Sequence, residues 1–118
     1  MSESMIRRRN RDTDITLHSA TALATTLDMR DVAGAVLSIG TISTNASTLQ
    51  MWVGASPSGS FRRLYKVDGS AADLTLAPSS TEGRAYSLPD EVFGTEYLKV
   101  VSATTNSTGT TGVVMLKS

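Results

Sequence analysis

Residues 83–102 read GRAYSLPDEVFGTEYLKVVS, two alternating segments separated by a helix-start signal. Tyr86 and Leu88 alternate with polar neighbours, as on a strand with one buried face. Pro89 cannot donate to a ladder, and it is favoured at the first position of a helical turn. Asp90 and Glu91 suit the positive end of that turn. Asp90-Glu91-Val92-Phe93 therefore reads as one tight turn, which Gly94 can stop by adopting positive φ. Residues 96–103 form the clearest strand in the chain, with Leu98 and Val100 on one face and Tyr97, Lys99 and Val101 on the other.

The same period of two extends outward in both directions. Ile15 and Leu17 share one face of a segment rich in Thr and Ser, and residues 34–42 (GAVLSIGTI) read as a strand buried on both faces near its middle. In residues 47–55 Leu49, Met51 and Val53 point one way, Gln50 and Trp52 the other. Ser56-Pro57-Ser58-Gly59 is a turn, residues 61–67 a returning strand, Asp68-Gly69 the next turn, and residues 73–77 another short strand. TTNSTGTTG, residues 104–112, reads as a hairpin loop that returns residues 113–117 against residues 96–103. Seven or eight short strands without a long helix predict an all-β fold, an antiparallel β-sandwich of jelly-roll type.

Composition agrees. The chain has 118 residues, enough for one domain with a real core. Ser and Thr number sixteen each, about a quarter of the chain, which suits hydroxylated outer faces and turns. Cysteine is absent, which removes disulfides and thiolate metal sites. No apolar run approaches the roughly 20 residues that span a bilayer, and no apolar segment follows the basic N-terminus as a signal peptide would require.

Charge divides the chain unevenly. Residues 1–11 hold Arg7, Arg8, Arg9 and Arg11 against Glu3, a net +3, and the remainder holds seven basic and ten acidic groups, a net −3. Residues 1–14 lack apolar periodicity and are expected to form an N-terminal arm that orders on another surface, with residues 15–118 as the sandwich. The arginines could contact phosphates, but no aromatics are interleaved with them and the body is acidic. The sequence therefore favours a protein partner over nucleic acid.

Little in the chain resembles catalytic machinery. His18 is the only histidine, and no nucleophile-elbow pattern accompanies it. The near pairs Asp12/Asp14, Asp28/Asp31 and Asp90/Glu91 are explained by arm, turn and helix start, and the calcium-loop spacing is absent. The expectation is a non-enzymatic protein with neither metal nor cofactor. Trp52 is the sole tryptophan and lies opposite the apolar face of its strand. It could anchor a protein interface or, with Tyr65, stack on a sugar. Arg7, Arg8, Arg9, Arg11 and Trp52 are the candidate partner-binding residues.

SGSFRRLYKVDG (58–69), GRAYSLPDEVF (83–93), TEYLKVVS (95–102) and VVMLKS (113–118), taken as an ordered set, resemble small β-sandwich accessory proteins of tailed-bacteriophage particles, of the capsid decoration, cement or head-fibre type. The resemblance covers the C-terminal half. It implies a virion structural protein that clamps the major capsid protein or other virion subunits, commonly as a homo-oligomer, with a trimer favoured. It carries no catalytic residues. A carbohydrate- or receptor-binding module of a fibre, or a head–tail or tail component, are the alternatives.

Overall fold

The computed structural model describes residues 10–17, 24–40, 48–76, 83–103 and 111–118. Among the described residues nine strands form two antiparallel sheets. The first sheet contains β1 (Asn10–Thr16), β3 (Gly34–Ile39), β7 (Arg84–Ser87) and β9 (Thr111–Lys117), ordered β1-β9-β3-β7. The second contains β2 (Thr26–Asp28), β4 (Thr48–Gly54), β5 (Arg62–Arg63), β6 (Leu74–Thr75) and β8 (Tyr97–Ser102), ordered β2-β8-β4-β5, with β6 also on β4. Outside the β4-β5-β6 run, each strand passes the chain to the opposite sheet.

One core joins the two sheets. Ile15, Ala35, Leu37, Ile39, Val114 and Leu116 come from the first sheet, and Leu27, Leu49, Met51, Leu98 and Val100 from the second. Each set follows the period-two alternation of its strand, so the inward side chains meet the facing sheet and, apart from Val101, which is also buried, most outward ones stay at least partly exposed. Leu37, Leu49, Met51, Leu98 and Val114 are fully buried at the centre of this arrangement. The β-sandwich-like all-β fold expected from the alternation is what forms.

The pairing differs from the sequence expectation in an instructive way. The final strand was expected beside residues 96–103, but β9 pairs with β1 and β3, whereas β8 pairs with β2 and β4. Alternation assigns a face to each residue but not a neighbour to each strand, so a hairpin and a crossover to the other sheet look alike in sequence. Residues 61–67 and 73–77 shrink to the two-residue strands β5 and β6 plus an isolated Tyr65–Ala71 bridge. β3 is buried on one face only, since Val36 and Ser38 are half-exposed.

Strand β1 starts at Asn10, four residues before the arm was expected to end. Its residues 10–14 are mostly exposed, so apolar periodicity could not announce them. Their order comes from a full ladder to β9, from Asn10 opposite Lys117 to Thr16 opposite Thr111.

Pro89 precedes a 3₁₀ turn over Asp90–Gly94 with Asp90 and Glu91 in its first turn, as the proline and acids foretell. Gly94 does not stop it through positive φ, because Gly69 (φ 89°) is the only glycine with positive φ among the described residues. Thr95 ends the turn instead: its N–H and its Oγ1 both donate to the Val92 carbonyl, at 3.3 and 2.7 Å. A side-chain hydroxyl thus satisfies the carbonyl that a left-handed glycine would otherwise serve.

Candidate interaction face of the second sheet

The outward side chains of the second sheet form a surface of aromatics interleaved with cations. Strand register makes one row of Thr26, Lys99, Trp52 and Arg63, each opposite the next on a neighbouring strand. A parallel row runs Asp28, Tyr97 and Gly54. The residue at position 54 has to be small because Phe61 folds back over it. A Cβ there would stand 3.3 Å from the Phe61 ring and 3.0 Å from the Ser60 carbonyl oxygen. Phe61 thereby joins the face from the loop after β4, and Lys99 Nζ lies 4.6 Å from its ring centroid.

Two arginines extend the pattern. Arg30 lies 5.3 Å from the Tyr97 centroid and is held there by Asp28. Its Nε donates to Asp28 Oδ1 at 3.0 Å and its Nη2 to Oδ2 at 2.7 Å, while the Arg30 backbone N–H donates to Oδ1 at 3.1 Å. Such a fork-to-fork pair fixes orientation as well as charge. The hydrogen bonds from the Arg30 side chain and backbone lower the Asp28 pKa to about 2. Arg63 lies 5.7 Å from the Tyr65 centroid and pairs with Asp73, Nη2 to Oδ2 at 2.5 Å. That hydrogen bond raises the Arg63 pKa above its ordinary value. Arg63 Nε and Asp73 Oδ1 are buried without a hydrogen bond.

Trp52 occupies the middle of this surface, half-buried between Lys99 and Arg63. Its Nε1–H donates to Gln50 Oε1 at 3.0 Å, two residues along the same face. With the indole donor satisfied locally, its apolar ring surface is what remains for a partner. Tyr65, under the Arg63 guanidinium, is 54% exposed, and Val101, outward next to Gln50, is buried. Cation–π contacts at exposed sites are worth about 0.5–1 kcal/mol each, so their main effect is to hold the long side chains in place before a partner arrives.

The other sequence candidates are dispersed. Arg7, Arg8 and Arg9 lie outside the described residues, as does His18. Arg11 is on β1, not in a free segment, and its guanidinium donates to the Asp28 carbonyl at 2.5 Å, tying an edge of the first sheet to the second. Asp12 and Asp14 are exposed on the outer side of β1, and Asp90 and Glu91 are exposed at the 3₁₀ turn. Among the described residues no group of three or more His, Cys, Asp or Glu could hold a metal ion. No helix there is long and apolar enough to cross a membrane.

Sequence reasoning found Trp52, Tyr65 and Tyr97 but missed Phe61, Arg30, Arg63 and Lys99 as their companions. Lys99 was already on the Tyr97 face of its strand. Arg30 and Phe61 come from loops, and no periodicity signals where a loop folds back. Compared with family models, with curated proteins and with solved structures, the chain matches none.

Proposed function

We propose that the chain is a non-enzymatic structural protein of a tailed-phage particle, which binds and reinforces the capsid surface as a decoration or cement protein. The observation that carries this reading is the outer face of the second sheet. Trp52, Phe61, Tyr65 and Tyr97 with Arg30 and Arg63 are the residue types enriched at the cores of protein interfaces, and here strand register and cation–π contacts link them across one side of the second sheet and its loops. The order β1-β9-β3-β7 against β2-β8-β4-β5, with the chain alternating between sheets, is the arrangement expected of a jelly roll, an architecture common in viral shells and lectins. Fold alone does not assign function, so the weight rests on the face.

In this reading the partner is the major capsid protein or another virion subunit. Arg7, Arg8, Arg9 and Arg11 add contacts to neighbouring subunits, and a homo-oligomer, with a trimer favoured, multiplies weak contacts into avidity. The test is association with purified particles: Trp52→Ala and Phe61→Ala should weaken it at least tenfold, the loss expected when a buried aromatic anchor is truncated. Undiminished association of both variants would sink the docking face.

A second reading, a carbohydrate-binding module of a fibre, is favoured by the exposure of Tyr65, which Arg63 links to the half-buried Trp52. A glycan array separates the two. Sugar binding that Trp52→Ala abolishes while particle association stays intact would favour the fibre module.

A further inference from the structure

The outward side of the first sheet carries a groove whose chemistry differs from that of the aromatic face. Its side chains form a row Asp12–Met115–Val36–Ser87 across all four strands, with Asn10–Lys117–Gly34 beside it. A groove of about 700 Å³ runs over these rows and ends against Asp90 and Phe93 of the 3₁₀ turn. Its floor is apolar and open: Met115 is 40% exposed, Val36 is half-exposed, and Phe93 is partly buried. An exposed carboxylate stands at each end, Asp12 on the edge strand β1 and Asp90 just after the edge strand β7. Lys117, the single cation among the lining residues, lies in the neighbouring row opposite Asn10.

We propose that this groove binds an extended segment of a partner protein that carries Lys or Arg at positions i and i+4 and an apolar side chain at i+2. Charge and spacing together select that occupant. The carboxylates at the two ends call for cations, and the floor between them calls for an apolar group. Lys117 beside the row disfavours a uniformly basic segment. Three strand spacings separate β1 from β7, about 14 Å, and four residues of extended chain span about 13–14 Å. Side chains at i, i+2 and i+4 of an extended chain share one side, so all three face the sheet together. Because β1 and β7 are the two edges of the sheet, a chain can enter at one end of the groove and leave at the other. The chain's own Arg62, Leu64 and Lys66 have this spacing, but Leu64 is packed against its core, so a folded second copy does not offer them. The occupant is a different protein.

Acetylated, amidated pentapeptides titrated into the full chain test this, with the methyl resonances of Met115 and Val36 followed by NMR. Lys-Ser-Leu-Ser-Lys should shift both saturably in the millimolar range, and Glu-Ser-Leu-Ser-Glu should shift neither. Lys-Leu-Ser-Ser-Lys turns its leucine off the floor and should bind about fivefold more weakly, the loss for a leucine left half in water. The double variant Asp12→Asn/Asp90→Asn should weaken the first peptide about fivefold, the sum of two exposed ion pairs, and added salt should act in the same direction. Glu91→Gln, next to Asp90 but outside the groove lining, should leave binding unchanged, and equal melting temperatures show that the variants are folded. Equal shifts from the acidic peptide, or no saturable shift at millimolar peptide, would overturn the proposal without any variant. So would equal shifts from butylammonium chloride, which would assign the groove to small cations, or shifts centred on Trp52. The docking face of the second sheet stands or falls separately, since it depends on Trp52 and Phe61.

Discussion

Replacing Asp14 and Val113 together by cysteine would lock the last strand to the first. The two residues are directly opposed on β1 and β9, outward on the first sheet, with Asp14 exposed and Val113 half-exposed. Opposed residues of an antiparallel pair have Cα atoms about 4.5–5.5 Å apart, within the roughly 4.4–6.8 Å that a disulfide accepts. The chain has no other cysteine, so the bond can form in only one way. It would close a loop of about 100 residues, for which the chain-entropy account gives about 4.7 kcal/mol of stabilisation. An unfolding entropy of roughly 2.1 cal/mol/K per residue turns that into a rise in Tm of about 15–20 °C. The assay is calorimetry with and without reductant, after a thiol count shows the bond has formed. A matched control is Lys99→Cys/Met115→Cys, which joins the outer faces of the two different sheets and should stay reduced. A hairpin of β8 with β9 would instead bring positions 99 and 115 close together. A bridged control and an unbridged Asp14/Val113 pair would refute the strand order.

Other outcomes follow from the same geometry. Leu37→Ala, at a fully buried position on β3, should cost about 2–5 kcal/mol in denaturant unfolding, while Val36→Ala on the outward side should cost within about 1 kcal/mol; equal effects would deny the one-sided core. Gly112→Ala would set a Cβ 2.8 Å from the Ser38 carbonyl oxygen and should destabilise by about 1–3 kcal/mol. Gly34→Ala meets nothing within 4 Å and should be neutral or slightly stabilising, so a reversed ranking in thermal melts would contradict the close approach of β3 and β9. The Asp28 carboxyl should titrate by NMR with a midpoint of about 2, below its ordinary 3.8. A depressed native pKa contributes stability that is complete above the unfolded value and is lost as pH falls towards about 2. A midpoint at 3.8 would remove the Asp28–Arg30 clasp.

What the sequence disclosed and what it withheld separate along a physical line. Leu49, Met51 and Val53, or Leu98 and Val100, declare their strands because a buried face imposes a period of two on the residues themselves. Ile15 and Leu17 likewise declared a shared buried face, and both are buried. Partner choice leaves no such mark, so β9 was placed beside β8 when it lies between β1 and β3. Exposed strand residues leave none either, and β1 was read as arm up to Asp14. The candidate interaction face was only half visible. Trp52 and Tyr97 stood out as outward aromatics, but the cation over Tyr97 is Arg30 from a loop, Arg63 lies over Tyr65, and Phe61 needs the bare backbone at Gly54. Contacts between a loop and a sheet face depend on three-dimensional closure, which no local pattern encodes. The groove over the first sheet has the same origin, since Asp12 and Asp90 line it together only when β1, β9, β3 and the 3₁₀ turn assemble.

Cryo-electron microscopy of tailed-phage particles incubated with this chain puts the proposed capsid role to its most direct test. The account predicts the sandwich repeated on the shell lattice, with Trp52, Phe61 and Tyr97 covered by a neighbouring subunit. Particles that lack the chain, or a map in which that aromatic face looks into solvent, would contradict it.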